Sequence, residues 1–251
     1  MSHYSIHFSP TGGTKKVADI LVKSLSDEYQ EIDLCQEIES LSLAEQDLCV
    51  VSVPTYGGRV PKIVIERLRK ISAHGAKAIL NCVYGNRAWE DTLTELQDTL
   101  EKLGFVCIAA IAAVAEHSIF RQYATGRPDA KDSAELTGFA EKIQNKLKSH
   151  EYGPLDLPGS HDIYKDYNVL PFKPEGNENC IACGLCAKNC PVSAIDFDNP
   201  RMTDKDQCIS CMRCIGICPV HARDLDSDFM KKTGEKMAPI LGGYKNNYLF
   251  L

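Results

Sequence analysis

Two stretches of this sequence repeat a four-thiol pattern: "CIACGLCAKNCP" from Cys180 and "CISCMRCIGICP" from Cys208, each C-x-x-C-x-x-C-x-x-x-C-P. Three cysteines spaced by two residues wrap a short turn around one face of a metal–sulfur cube. The fourth is carried off by a helical turn and reaches the other cube. This assigns Cys180, Cys183, Cys186 and Cys218 to one 4Fe–4S cluster, and Cys208, Cys211, Cys214 and Cys190 to a second. Pro191 and Pro219 stop the chain after each fourth ligand. A pair of zinc sites is the competing reading, but zinc ribbons pair two C-x-x-C knuckles across a long spacer, without the third cysteine and trailing C-P.

The repeats resemble bacterial-type two-cluster ferredoxins, and no ligand of that pattern is missing. Each half lends its last ligand to the other, which implies two clusters close enough to exchange single electrons. Cys35, Cys49, Cys82 and Cys107 lie in apolar, strand-like surroundings and read as buried small hydrophobes.

A second chemistry is written near the amino terminus. "FSPTGGTKKVADIL" follows a strand pattern and opens a helix. Ser9, Thr11 and Thr14 supply hydroxyl donors, Gly12 and Gly13 let backbone N–H groups close around an anion, and the helix dipole adds to them. The glycines are adjacent, so this is neither a dinucleotide fingerprint nor a Walker loop. An ordinary glycine turn with Thr14 as helix cap is the plain alternative. The order S-x-T-G-x-T after a first strand resembles the phosphate loop of flavodoxins, which implies FMN.

Two further loops fall where such a fold needs them. "PTYGGR" supplies Pro54, Thr55, Tyr56, Gly57, Gly58 and Arg59, and "VYGNRAW" supplies Tyr84, Gly85, Asn86 and Arg87. Tyr56 and Tyr84 are expected either to cover a flavin ring or to cap the core. Arg59 and Arg87 are expected beside the ring, where a cation favours the reduced anion, or else pointing into solvent or paired with surface carboxylates. In "AEHSIFRQYATGRPD", His117 is a candidate proton donor to a substrate, with a structural role as the alternative, and Arg121 and Arg127 could take an anion or the cysteine module.

Positioning these loops requires strands and helices in alternation. Strand patterns at His3–Phe8, "EIDL", "DLCVVSV", "AKAILNCV" and "FVCIAAIAAV" alternate with helical patterns opening at Thr14, near Pro61, at "AWEDTLTELQDTLEKLG" and at "DAKDSAELTGFAEKIQNKLK". The expected fold class is α/β: a flavodoxin-like, doubly wound five-stranded parallel sheet, with a second small α+β bacterial-ferredoxin-like domain. The expected divisions are residues 1–148 for FMN binding, 149–175 as an ordered linker along the first domain, 176–227 for the clusters, and 228–251 as a docking tail.

The whole resembles flavodoxin–ferredoxin fusion flavoproteins of anaerobes. That implies electron transfer between two 4Fe–4S clusters and FMN. The alternatives are a ferredoxin-fed, FMN-dependent reductase of a small organic acceptor, and a redox or oxygen sensor. A net charge of −6 and the lack of a basic run argue against nucleic acid. The longest apolar run, Phe105–Ala115, is too short for a membrane span. A cytoplasmic protein is expected, with a redox protein or small-molecule acceptor as partner and a homodimer as one possible assembly.

Overall fold

A computed structural model describes residues 1–167 and 170–251 of the chain; Asn168 and Val169, within the expected linker, lie outside the described residues. In chain order the elements are β1 (His3–His7), α1 (Gly13–Leu25), β2 (Gln30–Asp33), β3 (Leu41–Ser42), β4 (Leu48–Pro54), α2 (Lys62–Leu68), β5 (Ile71–Ser72), β6 (Lys77–Tyr84), α3 (Thr92–Lys102), β7 (Val106–Val114) and α4 (Ala130–Ser149). There follow β8 (Glu175–Gly176), α5 (Leu185–Lys188), α6 (Arg213–Gly216), β9 (Arg223–Asp224), α7 (Ser227–Leu241) and β10 (Tyr248–Phe250).

The main sheet runs β10-β7-β6-β4-β1-β2. Its five long strands are parallel in the order second, first, third, fourth, fifth, which is the flavodoxin-like doubly wound topology. β4, β6 and β7 are apolar without alternation because helices cover both faces. On one face α1 and α4 bury Val17, Leu21, Val22, Leu136 and Ile143; on the other, α2 and α3 bury Val64, Leu68, Leu93, Leu96 and Leu100. Pro61 caps α2 from just outside, and Gly104, at φ +88°, turns the chain out of α3. Asp129 and Asp132 form a reciprocal capping box on α4, which carries Gly138 in its interior without a break.

The structure adds a sixth strand. β10 pairs antiparallel with β7, Leu249 opposite Ile111, so the last residues of the chain extend the sheet of the first domain. Asn247 fixes this arrangement: its Oδ1 accepts from Val114 N at 2.9 Å, while its Nδ2 donates to Asp132 and Glu135.

Residues 155–167 cross the α3 face. Leu155 and Leu157 are buried in the main core, Ser160 N donates to Asp91, and Tyr167 Oη donates to Val60 O at 2.6 Å. Beyond them β8 and β9 pair antiparallel around the cysteine repeats. A third apolar cluster, with Phe120, Phe172, Met212 and Leu241 buried, joins the His117 loop, the cysteine module and α7. Among the described residues no helix is long and apolar enough to cross a membrane.

Candidate functional site

The sequence repeat is also a backbone repeat. In the first copy Ala182, Gly184 and Ser193 adopt positive φ; in the second, Ser210, Met212 and His221 do so at the same offsets from the leading cysteine. Such left-handed residues turn successive N–H groups inward, as sulfur-rich clusters require. Each copy carries its third cysteine inside a single helical turn, Cys186 in α5 and Cys214 in α6, and these two turns contact each other.

Cys190, Cys208, Cys211 and Cys214 line one enclosed cavity, together with Ile195, Ile209 and Met212. That is the set the spacing assigns to the second cluster. N–H groups aim at the crossed-over sulfurs: Ala194 N lies 3.3 Å from Cys190 Sγ, and Ala222 N lies 3.2 Å from Cys218 Sγ. Burial pushes the Cys211 and Cys214 thiols up. Burial also acts to raise Cys218, but the N–H groups of Ala222, Val220 and Arg223 outweigh it and hold that thiol below its usual range. Hydrogen bonds to sulfur and an apolar cavity are the surroundings a thiolate-bound cluster needs, so the residues fit one. The first copy is more open, with Cys183 exposed and Cys186 buried.

At the carboxyl ends of β1, β4, β6 and β7 lies the second candidate site. Gly12, at φ +89°, makes the turn into α1 and, as N-cap, offers it no side chain, and no acidic residue occupies the first turn. Ser9 Oγ accepts from Lys15 N at 2.8 Å and so closes the loop. Thr11, Gly13 and Thr14 line a cavity that continues past Pro54, Thr55, Tyr84 and Gly85 to Tyr56 and His117. A neighbouring cavity extends it over Gly57, Gly85 and Arg87 to Phe172, Ser210 and Met237. Neutral hydroxyl donors at a helix N-terminus, continuous with a cavity bordered by aromatic side chains, fit a phosphorylated aromatic cofactor.

Several expected ring-side residues have other roles. Arg59 donates through Nε and Nη2 to Glu95 at 2.8 and 2.6 Å, donates to Lys165 O, and stacks on Tyr164 and Tyr167. Its charge is paired with the Glu95 carboxylate. Gly58, at φ +90°, abuts Glu90. Asn86 Nδ2 donates to Leu241 O and Gly243 O, tying the tail down. Tyr84 follows the core-cap alternative: it is buried, donates to Asn246 O at 2.7 Å and packs on Trp89 at 5.1 Å, and Trp89 in turn meets Tyr248. Arg87 keeps its place on the cavity wall but forks onto Glu90 at 2.9 and 3.0 Å.

His117 also takes a different part. Its Nδ1 accepts from Ile119 N and Phe120 N at 3.1 and 3.2 Å. Burial, reinforced by Arg87, lowers its pKa to about 4. The ring is therefore neutral at pH 7, with Nδ1 accepting and the proton on Nε2. Arg121 pairs with Glu116, and buried Arg127 with Asp132. The sequence reading missed Ser210, Phe172 and Met237. Ser210 could have been found from its place between Cys208 and Cys211; the other two carry no local signal.

Residues 179–222 match the family model of the 4Fe-4S dicluster domain. Over 33 residues the chain is 48% identical to NADH-quinone oxidoreductase subunit I of Cytophaga hutchinsonii, covering 13% of this chain and 19% of that protein. Against subunit I of Escherichia coli K12 it is 35% identical over 69 residues, 28% of this chain and 37% of that one. The chain thus spans well under half the length of these relatives. Among solved structures, a Streptococcus pneumoniae TIGR4 flavodoxin aligns with a TM-score of 0.44 and 19% identity over 58% of this chain and 99% of its own. Flavodoxin 2 from Bacillus cereus aligns at 0.44 and 15% over the same shares. By its strand order and this family match, the chain joins a flavodoxin-like α/β fold to a 4Fe–4S dicluster domain.

Proposed function

We propose that this protein is an electron-transfer iron–sulfur flavoprotein of the cytoplasm, passing electrons between a redox partner, two 4Fe–4S clusters and one FMN. FMN takes electrons singly and delivers them in pairs, which a one-electron wire alone does not do. The observation carrying this reading is that Ser210, between two ligands of the second cluster, lines the same cavity as Tyr56, Gly85 and His117. Tyr56 also lines a further cavity together with Cys208 and Ile209.

In this reading Thr11, Thr14 and the N–H groups opening α1 hold the phosphate. Tyr56, Gly57, Gly85 and Arg87 border the ring, and His117 offers it an N–H. Phe172, from the middle segment, and Met237, from α7, cover the cavity. That cover supports transfer within the chain over reduction of a separate substrate at the ring.

The test is anaerobic stopped-flow reduction of purified full-length protein by limiting dithionite, after assay of iron, sulfide and FMN. Electron passage from clusters to flavin should be first order and independent of protein concentration. Loss of FMN on purification, or a rate proportional to concentration, would overturn the reading.

A further inference from the structure

Arg223 lies on β9 immediately after Ala222, whose N–H points at Cys218 Sγ, and it is 2% exposed. Its guanidinium donates to Pro200 O, to Pro174 O at 2.6 Å and to Thr203 Oγ1. These partners lie beside both cysteine sets. Pro200 O also lies 3.8 Å from Cys186 Sγ, of the first set. Pro174 and Thr203 line the cavity enclosed by Cys190, Cys208, Cys211 and Cys214. Among the described residues Arg223 Nε has no hydrogen-bond partner, although it is buried.

A buried guanidinium is costly to keep without an opposite charge. Among the described residues Arg223 forms no ion pair with a carboxylate; its hydrogen bonds go to two carbonyls and a hydroxyl. The anions left to balance it are the thiolate-bound clusters themselves. Each gains one negative charge when one electron enters, so a fixed cation between them favours the reduced state of both.

We infer that Arg223 is a positioning residue shared by the two clusters, a single buried cation that raises both reduction potentials together. The inference rests on the assignment of the eight cysteines to two clusters. Iron and sulfide assay of the wild-type protein tests that assignment separately.

The experiment is an anaerobic, EPR-monitored redox titration of full-length wild type, R223Q and R223K. In R223Q both clusters should become reduced only at lower potentials, while R223K, which keeps the charge, should stay near wild type. Wild-type potentials in R223Q, a shift confined to one cluster, or an equal fall in R223K would overturn the inference. If R223Q does not retain its clusters, wild-type protein labelled with guanidino-15N arginine carries the test. Its reduced clusters should show a 15N coupling that R223K lacks, and absence of that coupling from wild type would overturn the inference.

Discussion

Arg67 of α2 donates through Nη2 to Pro191 O at 2.8 Å and through Nη1 to Leu34 O at 2.7 Å. One buried side chain of the flavodoxin-like fold thus grips the residue next to Cys190. In Arg67→Met, both carbonyls lose a charged donor, at a cost of about 2 kcal/mol. We expect a lower midpoint in chemical denaturation and slower cluster-to-flavin transfer at unchanged iron content. An unaltered transfer rate would show that this contact does not hold the second cluster in place.

Gly85 passes under His117. A Cβ there would lie 2.9 Å from His117 Cα and 3.0 Å from its ring carbons. The backbone on one side cannot yield cheaply, so Gly85→Ala should push the His117 loop outward. FMN affinity, read from flavin fluorescence on dilution, is expected to fall about tenfold, equivalent to ~1.4 kcal/mol, with cluster absorbance intact.

Breaking the Arg59–Glu95 pair should affect stability rather than redox behaviour. Glu95 is 3% exposed, and its Oε2 also accepts from Val60 N at 2.8 Å. Arg59→Leu leaves that carboxylate buried and unpaired, at a cost of about 3 kcal/mol. Thermal unfolding should register the loss, while the FMN potential stays at its wild-type value.

His117 makes stability depend on pH. An unfolded histidine titrates near pH 6.5, and in the folded protein burial lowers this to about 4. As pH falls from ~6.5 to about 4, the unfolded chain takes up the proton first, so folded stability declines across that window. Above ~6.5 the contribution is constant. The stability difference between wild type and His117→Gln, measured by urea denaturation from pH 8 to 4.5, should move against wild type only below about 6.5. A difference that is flat with pH would mean His117 titrates normally.

What was legible in the sequence was what is local. The eight cysteines repeat within two short copies, so a ligand set could be proposed from spacing alone, and in the structure each copy's left-handed residues follow the same offsets. The strands followed from apolar runs bounded by turns, and their order was implied by the flavodoxin resemblance. What escaped depends on distant partners. Arg59 looks like a ring-side cation in "PTYGGR", but Glu95 neutralises it from 36 residues away. Asn86 sits in a ligand-shaped loop and spends its amide on carbonyls about 155 residues further on. Phe172 and Met237 reach the cavity from segments without a motif. An apolar "YKNNYLFL" did not disclose which sheet edge it would occupy.

β10 on β7 alters what kind of molecule this is. The chain leaves the first domain through the segment that Tyr167 fastens to Val60, builds the cysteine module, and returns to stitch its own end into the original sheet. The module is topologically an insertion, sutured on both sides. A cluster on a single flexible leash delivers electrons only as often as it swings home, and its rate falls in viscous solvent. One moored at both ends keeps a fixed gap to the flavin, so transfer proceeds at the same pace in glycerol as in water.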